Sequence, residues 1–328
     1  MTLAEHLAKE QGPTPEYTSS VVKVISAIAA MSRDIARELA FASLRGETGL
    51  TGGKNFSGDD QKPLDIWAHE AMARALRRSH TCSAYISEEA PEPIEMPEGT
   101  GARAVVVACD PVDGSSNLDV GGSVGTIFSV WKAGGRVPAA PSALGPVGQM
   151  LAAGYVLYGP ATLLVYTLGA GVHGFTLDRD TGDYLLTHPG IQVPRKGKTY
   201  GINEGNAHTW HPGQRAFVEL LRTPDKANGR PYSLRYSGAM VADVHRTLLD
   251  GGIFMYPADM TDPAKPKPKL RLLYEVAPMA FVAEQASGRA STGTGRVLDL
   301  EAKEYHQRAA ILIGSADDVA LAESYYRK

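Results

Sequence analysis

Apolar positions along the chain recur in two rhythms. The first has helical spacing. Ile25, Ile28, Ile35 and Leu39 share one face, with Arg33, Asp34, Arg37 and Glu38 turned away. Thr18-Ser19-Ser20 is suited to cap this helix, which the pattern carries to about Arg45. After Pro63, a residue that fits a first helical turn, Leu64, Ala68, Met72 and Leu76 repeat the spacing. Asp65 then lies in that first turn. Residues 46–58 between the two helices are glycine-rich and poor in apolar side chains, which predicts a mobile loop able to close.

The second rhythm is that of strands. Val105-Val106-Val107-Ala108-Cys109 reads as a buried strand, short and rich in β-branched residues. Residues 83–87 form a shorter strand that delivers Glu88-Glu89, and residues 125–131 form another. Residues 151–188 read as an antiparallel meander with its clearest turn at 178–183. Residues 91–101, with prolines and glutamates, predict a surface loop, and residues 133–148 an excursion. Composition shifts at Val193-Pro194-Arg195-Lys196, so a domain boundary falls there, giving residues 1–193 and 194–328. The second part alternates helices (about 210–222, 238–249, 275–287, 315–326) with strands (about 253–256, 289–298, 310–313). That alternation predicts a layered α/β domain.

Composition narrows the function classes. The chain has 328 residues, 43% of them hydrophobic, enough for a large core. A net charge of −3 gives no electrostatic case for nucleic acid or an anionic membrane. No apolar run is long enough for a membrane span, and residues 1–12 lack a signal-peptide core. Cys82 and Cys109 make neither a disulfide framework nor a zinc pattern, which fits a cytoplasmic setting. Cys109, at the end of a buried strand, reads as an inert core thiol.

The richest chemistry lies in Asp110-Pro111-Val112-Asp113-Gly114-Ser115-Ser116-Asn117-Leu118-Asp119. The acids are expected exposed, where the strand ends and the chain turns. Asp110, Asp113 and a carbonyl between them could share a cation. Gly114-Ser115-Ser116 could follow with donors aimed at an anion. The plainer alternative is a strand followed by an Asp/Gly/Ser turn. Further acids stand at Asp59 and Asp65, at Glu88 and Glu89, and at Glu275. Without a matching His or Cys cluster they point to a hard ion, Mg²⁺ or Mn²⁺. Neighbours on a strand face opposite sides, so one of Glu88 and Glu89 could ligate metal while the other orients water. Each acid alone also reads as a solvated surface carboxylate.

Three runs carry a family resemblance: Ser87-Glu88-Glu89, the stretch from Asp110 to Asp119, and Ser237-Gly238-Ala239-Met240-Val241-Ala242-Asp243 continuing through Val244-His245-Arg246-Thr247. Together they resemble class I fructose-1,6-bisphosphatase. The likeness extends to Gly58-Asp59, Leu64-Asp65, Asn203-Glu204-Gly205 and Lys269-Leu270-Arg271-Leu272-Leu273-Tyr274-Glu275. It implies a two-domain α/β/α/β/α sugar-phosphatase fold, usually a homotetramer. It implies Glu88, Asp110, Asp113 and Glu275 as metal ligands with the Val112 carbonyl, and Asp59 near a further metal when the loop closes. Asp65 and Glu89 would orient and deprotonate the attacking water. Gly114, Ser115 and Ser116, with Asp113 beside them, would hold the C1 phosphate. Asn203, Tyr236, Tyr256 and Lys269 would grip the other phosphate and the sugar. Arg235 resembles an arginine that reaches a neighbouring subunit's substrate. Taken singly, Tyr256 could be a core aromatic and Arg235 half of a surface ion pair. His245 reads as structural.

Departures from the family pattern carry their own implications. AMP-inhibited members have a Thr-Gly-Glu-Leu-Thr-like run before the first helix, which here is Thr14-Pro15-Glu16-Tyr17-Thr18. Their Lys-Tyr pair before the Asp110 strand is here Ala104-Val105. Weak or absent AMP inhibition is therefore expected. Asn206 stands where the family often has Tyr, and the excursion at 133–148 has no cysteine for plastid-type thiol control. The expected activity is Mg²⁺-dependent removal of the C1 phosphate of fructose 1,6-bisphosphate, in gluconeogenesis or a carbon-fixation (Calvin) cycle. A sedoheptulose-1,7-bisphosphatase, or an enzyme with both activities, is the nearest alternative. A non-catalytic sugar-phosphate sensor is a remote one.

Overall fold

A computed structural model describes residues 1–46, 62–99, 101–133 and 140–327. The first part is built on one eight-stranded sheet, ordered β2-β1-β3-β4-β5-β6-β7-β8. Its strands are β1 (Cys82–Ser87), β2 (Ile94–Glu95), β3 (Val105–Asp113), β4 (Val124–Lys132), β5 (Ala152–Tyr158), β6 (Thr162–Thr167), β7 (His173–Leu177) and β8 (Tyr184–His188). From β3 to β8 the strands run antiparallel in chain order, which is the expected meander. β1 joins β3 in parallel.

The second sheet has five strands, ordered β10-β9-β11-β13-β12. They are β9 (Thr199–Gly201), β10 (Ser233–Leu234), β11 (Ile253–Tyr256), β12 (Arg289–Ser291) and β13 (Ile311–Gly314). The helices are α1 (Leu3–Leu7), α2 (Pro15–Arg45), α3 (Pro63–Ser79), α4 (Pro212–Arg222), α5 (Met240–Asp250), α6 (Ala277–Gln285) and α7 (Ala316–Tyr326).

Three apolar cores stack these elements into five layers. α2 and α3 bury Ile25, Ile28, Ile35, Leu64, Ala68, Met72 and Leu76 against one face of the large sheet, beside Val105, Val107 and Phe128. The opposite face, through Val106, Ala108 and Ile127, packs on α5 and α6, which in turn pack on Phe254, Ile311 and Ile313 of the small sheet. α4 and α7 close the far side through Phe217, Leu221, Val319 and Ala322. The order is therefore α/β/α/β/α, as expected. Alternate residues of β3 serve different cores because successive strand side chains face opposite ways. A continuous apolar run suits a strand covered on both faces.

Several local expectations need correction. α2 begins at Pro15, so Thr18, Ser19 and Ser20 lie inside the helix rather than capping it. Pro15 takes the first helical position, where its missing N–H costs nothing. The loop at 91–101 contributes the two-residue β2 at the sheet edge. The strand expected at 289–298 stops at Ser291 and is followed by a short 3-10 turn, Val297–Asp299.

Candidate active site

The acids of the central stretch lie inside the sheet. β3 does not end at Cys109 but runs through to Asp113. Its pairing steps from Asp110↔Ile127 to Asp113↔Gly125, so Pro111 and Val112 together oppose Thr126 alone. This is a β-bulge. Proline supplies no N–H for the ladder, and Thr126 Oγ1 donates instead to the Pro111 carbonyl at 2.8 Å. Two residues three apart on a regular strand face opposite sides. The extra residue restores a common side, and both carboxylates line one cavity. Asp110 and Asp113 are only 4% and 7% exposed. The expected exposure at a strand end is thus corrected: β4 and the N-terminus of α5 cover them.

Each of these acids is held by a backbone amide. Val112 N–H donates to Asp110 Oδ1 at 3.0 Å, and Val241 N–H to Asp113 Oδ2 at 2.7 Å. Glu275 lies on a π-helical turn, Leu272–Val276, and its Oε2 accepts from Arg271 N–H at 2.6 Å. One carboxylate oxygen from each of Asp110, Asp113 and Glu275 lies within 4.8 Å of the others. Burial, then the charge of Glu88, pushes Asp110 and Glu275 well above the carboxylate range. Burial also raises Asp113 to about 6 and Glu88 to about 7. Buried carboxylates that resist ionising together, with oxygen donors alone, fit a hard divalent cation.

Glu88 and Glu89 follow β1 in a turn and line the same cavity, so the expected alternation across a strand does not hold. Glu88 N–H donates to the Cys109 carbonyl at 3.2 Å, which ties the turn to β3. Asp65 is buried in the first turn of α3, where its Oδ2 accepts from Lys62 N–H at 2.9 Å. Burial pushes Asp65 up to about 7, with Glu89 and Glu88 adding to the rise. Asp59 and the glycine-rich loop at 47–61 lie outside the described residues.

Gly114 ends β3 and has φ +76°, and a Cβ there would stand 2.4 Å from the Ala239 Cβ. Only glycine suits both the left-handed turn and the close approach. The 3-10 turn that follows, Ser115–Val120, puts Gly114, Ser115 and Ser116 on the cavity wall. Tyr236, Tyr256 and Lys269 also line this space of about 500 Å³. A second cavity of about 360 Å³ shares Tyr256 and Lys269 and contains Asn203 and Asn206. Arg235 lines neither cavity of its own chain. It is exposed, and its Nη1 donates to the Leu234 carbonyl at 2.8 Å.

Sequence reasoning left three contributions to the site unassigned. Lys62 is buried against the cavity and its Nζ meets Asp119 Oδ2 at 2.7 Å. Arg271 is buried on the cavity wall, and its charge counters the rise at Glu88. Ser87 Oγ is a hub: it accepts from Glu89 N–H at 3.2 Å and from Tyr85 OH at 3.1 Å, and meets His69 Nδ1 at 2.8 Å. The spacing of Lys62 before Asp65 at a helix start was the one available signal. Ser87 sits next to the acids but its partners are remote in sequence. His245 is structural as expected, with Nδ1 2.8 Å from the Tyr155 hydroxyl.

Comparison with known proteins places this geometry. The family model described as Fructose-1-6-bisphosphatase, N-terminal domain, matches residues 1–189, and that described as Fructose-1-6-bisphosphatase, C-terminal domain, matches residues 193–327. The chain belongs to the class 1 fructose-1,6-bisphosphatase family. The class 1 fructose-1,6-bisphosphatase of Oleidesulfovibrio alaskensis is 44% identical, covering 100% of this chain and 98% of its own. A cytosolic fructose-1,6-bisphosphatase of Brassica napus is 43% identical over 99% of this chain and 95% of its own. Among solved structures, the holo form of Leishmania major fructose-1,6-bisphosphatase superposes with a TM-score of 0.91 at 37% identity, covering 100% of this chain and 99% of that one. Family members are phosphatases, and a cluster of acids that could hold a metal ion lines this cavity. Among the described residues, no helix is long and apolar enough to cross a membrane.

Proposed function

We propose that this chain hydrolyses the C1 phosphate ester of fructose 1,6-bisphosphate, giving fructose 6-phosphate and inorganic phosphate. The observation that carries this reading is one cavity lined by Asp65, Glu88, Glu89, Asp110, Asp113 and Glu275 together with Tyr236, Tyr256 and Lys269. Glu88, Asp110, the Val112 carbonyl, Asp113 and Glu275 would hold Mg²⁺, or Mn²⁺, and Asp59 would serve a further ion. The ion supplies charge neutralisation for an in-line displacement at phosphorus.

The chain's own groups do the rest. Gly114, Ser115 and Ser116 donate to the C1 phosphate. Tyr236, Tyr256, Lys269 and, from the adjoining cavity, Asn203 hold the sugar and its distal phosphate. The Lys269 ammonium and the phenol hydroxyls suit phosphate oxygens. Asp65 and Glu89 orient a water opposite the C1 oxygen and take its proton. A carboxyl raised to about 7 by burial is matched to proton transfer near neutral pH. The water oxygen bonds to phosphorus, the bond from phosphorus to the C1 oxygen breaks, and that oxygen takes a proton from solvent to become the sugar hydroxyl, while the proton held by Asp65 or Glu89 returns to solvent.

The wider reading includes a homotetramer in the cytoplasm, with Arg235 serving a neighbouring subunit, and a division at 193/194. The large sheet ends at His188 and the small one begins at Thr199, which supports that division. Asn206 on the second cavity favours one further reading, use of the longer sedoheptulose 1,7-bisphosphate. Phosphate release from both sugars, with Mg²⁺ and with EDTA, tests the proposal beside Glu89→Gln. Mg²⁺-dependent turnover that falls about 100- to 10,000-fold in the variant is expected. Binding without turnover on either sugar would instead favour a sensor.

A further inference from the structure

Away from the active site, α1 and the segment after it cross the far end of the large sheet. Among the described residues, two groups of three potential ligand side chains have ligand atoms within 4.8 Å of one another. One is the acid cluster of the active site. The other is His6, Glu10 and His173. His6 is on α1, Glu10 lies just beyond its end, and His173 opens β7. The His6 and His173 rings lie 4.6 Å apart between centroids. His6 Nδ1 is 2.7 Å from the Tyr166 hydroxyl and 3.4 Å from Glu10 Oε1. His173 Nδ1 accepts from Gly190 N–H at 3.2 Å.

We propose that His6, Glu10 and His173 form a site for a single borderline transition-metal ion of the zinc type, joining the N-terminal segment to the sheet. Two imidazoles with one carboxylate are a donor set for zinc, whereas an all-oxygen cluster suits magnesium. The two centres thus differ in the ion they select. Glu10 is partly buried, and its Oε1 lies 3.4 Å from His6 Nδ1. A half-buried carboxylate facing two imidazoles gains most from a cation between them. The Tyr166 hydroxyl can accept from His6 Nδ1–H, the outer contact that fixes a ligating ring when Nε2 is bound. Ligand atoms of a tetrahedral zinc stand about 3.3 Å apart, given zinc–nitrogen bonds near 2 Å. Rotamer adjustment within the present 4.8 Å spread reaches that spacing. Coordination by His173 gives up its contact to Gly190 N–H, which is exposed and turns to water. A water completes the fourth position, since Glu10 and His173 are partly open to solvent.

The test uses the full-length protein saturated with Mg²⁺. Co²⁺ is titrated in the presence of Mg²⁺ and its visible absorption followed, then displaced with Zn²⁺. Intense tetrahedral bands for one equivalent in the wild type, lost in His173→Ala and in Glu10→Gln, are expected. The same variants should weaken Zn²⁺ binding at least tenfold and abolish a rise in Tm of roughly 3 °C at saturating Zn²⁺. Mg²⁺-dependent phosphate release should be unchanged in both. Only weak octahedral Co²⁺ bands in the wild type, or equal stoichiometry and affinity in wild type and Glu10→Gln, would overturn the site. Because the wild-type spectrum decides by itself, a variant that misfolds does not protect the idea.

Discussion

Asp110 and Asp113 show how much a single residue can set. A three-residue spacing on a strand normally separates two side chains, and Pro111 inserts the bulge that reunites them. The cost is a set of buried acids that Arg271 and Lys62 only partly counter, and that cost depends on pH. Asp65 and Glu88 have native values near 7 against ordinary values of 3.8 and 4.5. Native carboxyls therefore keep protons that the unfolded chain has already lost, so stability falls as pH rises through this window. Buried His245, lowered from 6.5 to about 4, works the other way, but only below its unfolded value. Above pH 6.5 the acids act alone among these groups. The EDTA-treated protein should lose thermal stability between pH 6.5 and 8, and Mg²⁺ should raise Tm more at pH 8 than at 6.5. Differential scanning calorimetry across that range checks both; a metal-free Tm that climbs with pH would refute the argument. Gly114→Ala probes the same junction. It forces a Cβ to within 2.4 Å of Ala239 in a left-handed turn, and a loss of about 1–3 kcal/mol in urea unfolding is expected.

Elements were legible in the sequence in proportion to their length. The periodicity of Leu64, Ala68, Met72 and Leu76 identified α3 and its buried face, and the run Val105 to Cys109 identified the core of β3. β9 and β10 have three and two residues, too few to show a period, and they exist because β11 offers an edge to extend. The continuation of β3 through Asp110 to Asp113 was hidden for a different reason: polar residues and a proline read as a turn unless the covering elements are known. The start of α2 was misplaced by favouring Thr18 over Pro15, and that start bears on regulation. Under it the chain is filled. The cavity lined by Thr14, Tyr17, Thr18 and Val21 measures only about 10 Å³. Lys132 Nζ and the Arg103 guanidinium lie 5.5 and 6.0 Å from the centre of the Tyr17 ring. A nucleotide has no room there, and the Ala104-Val105 pair offers it neither charge nor an aromatic face. AMP at about 1 mM should change turnover less than twofold in a steady-state assay, because Ala104-Val105 stands where AMP-inhibited members have a charged and aromatic pair. Half-inhibition at micromolar AMP would refute this.

At the scale of the whole molecule, the cavity draws its acids and Tyr256 from different sheets. β3 brings Asp110 and Asp113, β11 brings Tyr256, and the π-helical turn that leads into α6 brings Glu275 between them. Most of this site was legible, because its acids stand in short ordered runs. Arg235 was legible only as a residue type, since it lines neither cavity of its own chain. It follows β10, exposed, one residue before Tyr236 on the cavity wall. A guanidinium so near the cavity, yet outside it, would suit the proposed role across a subunit boundary in a closed symmetric assembly. Complementation separates that role from a local one. Arg235→Ala alone should raise KM for the bisphosphate about tenfold or more, the loss of one charge-assisted contact. Glu89→Gln alone should bind substrate without turning it over. In hybrids assembled from the two, an Arg235→Ala protomer keeps its acids and can borrow the arginine of a Glu89→Gln neighbour. Hybrids should therefore contain sites with wild-type KM, visible as a second, tighter kinetic phase that neither parent shows. Hybrids with only the raised KM of Arg235→Ala would place the arginine's effect within its own subunit, and the site would then be complete in a monomer.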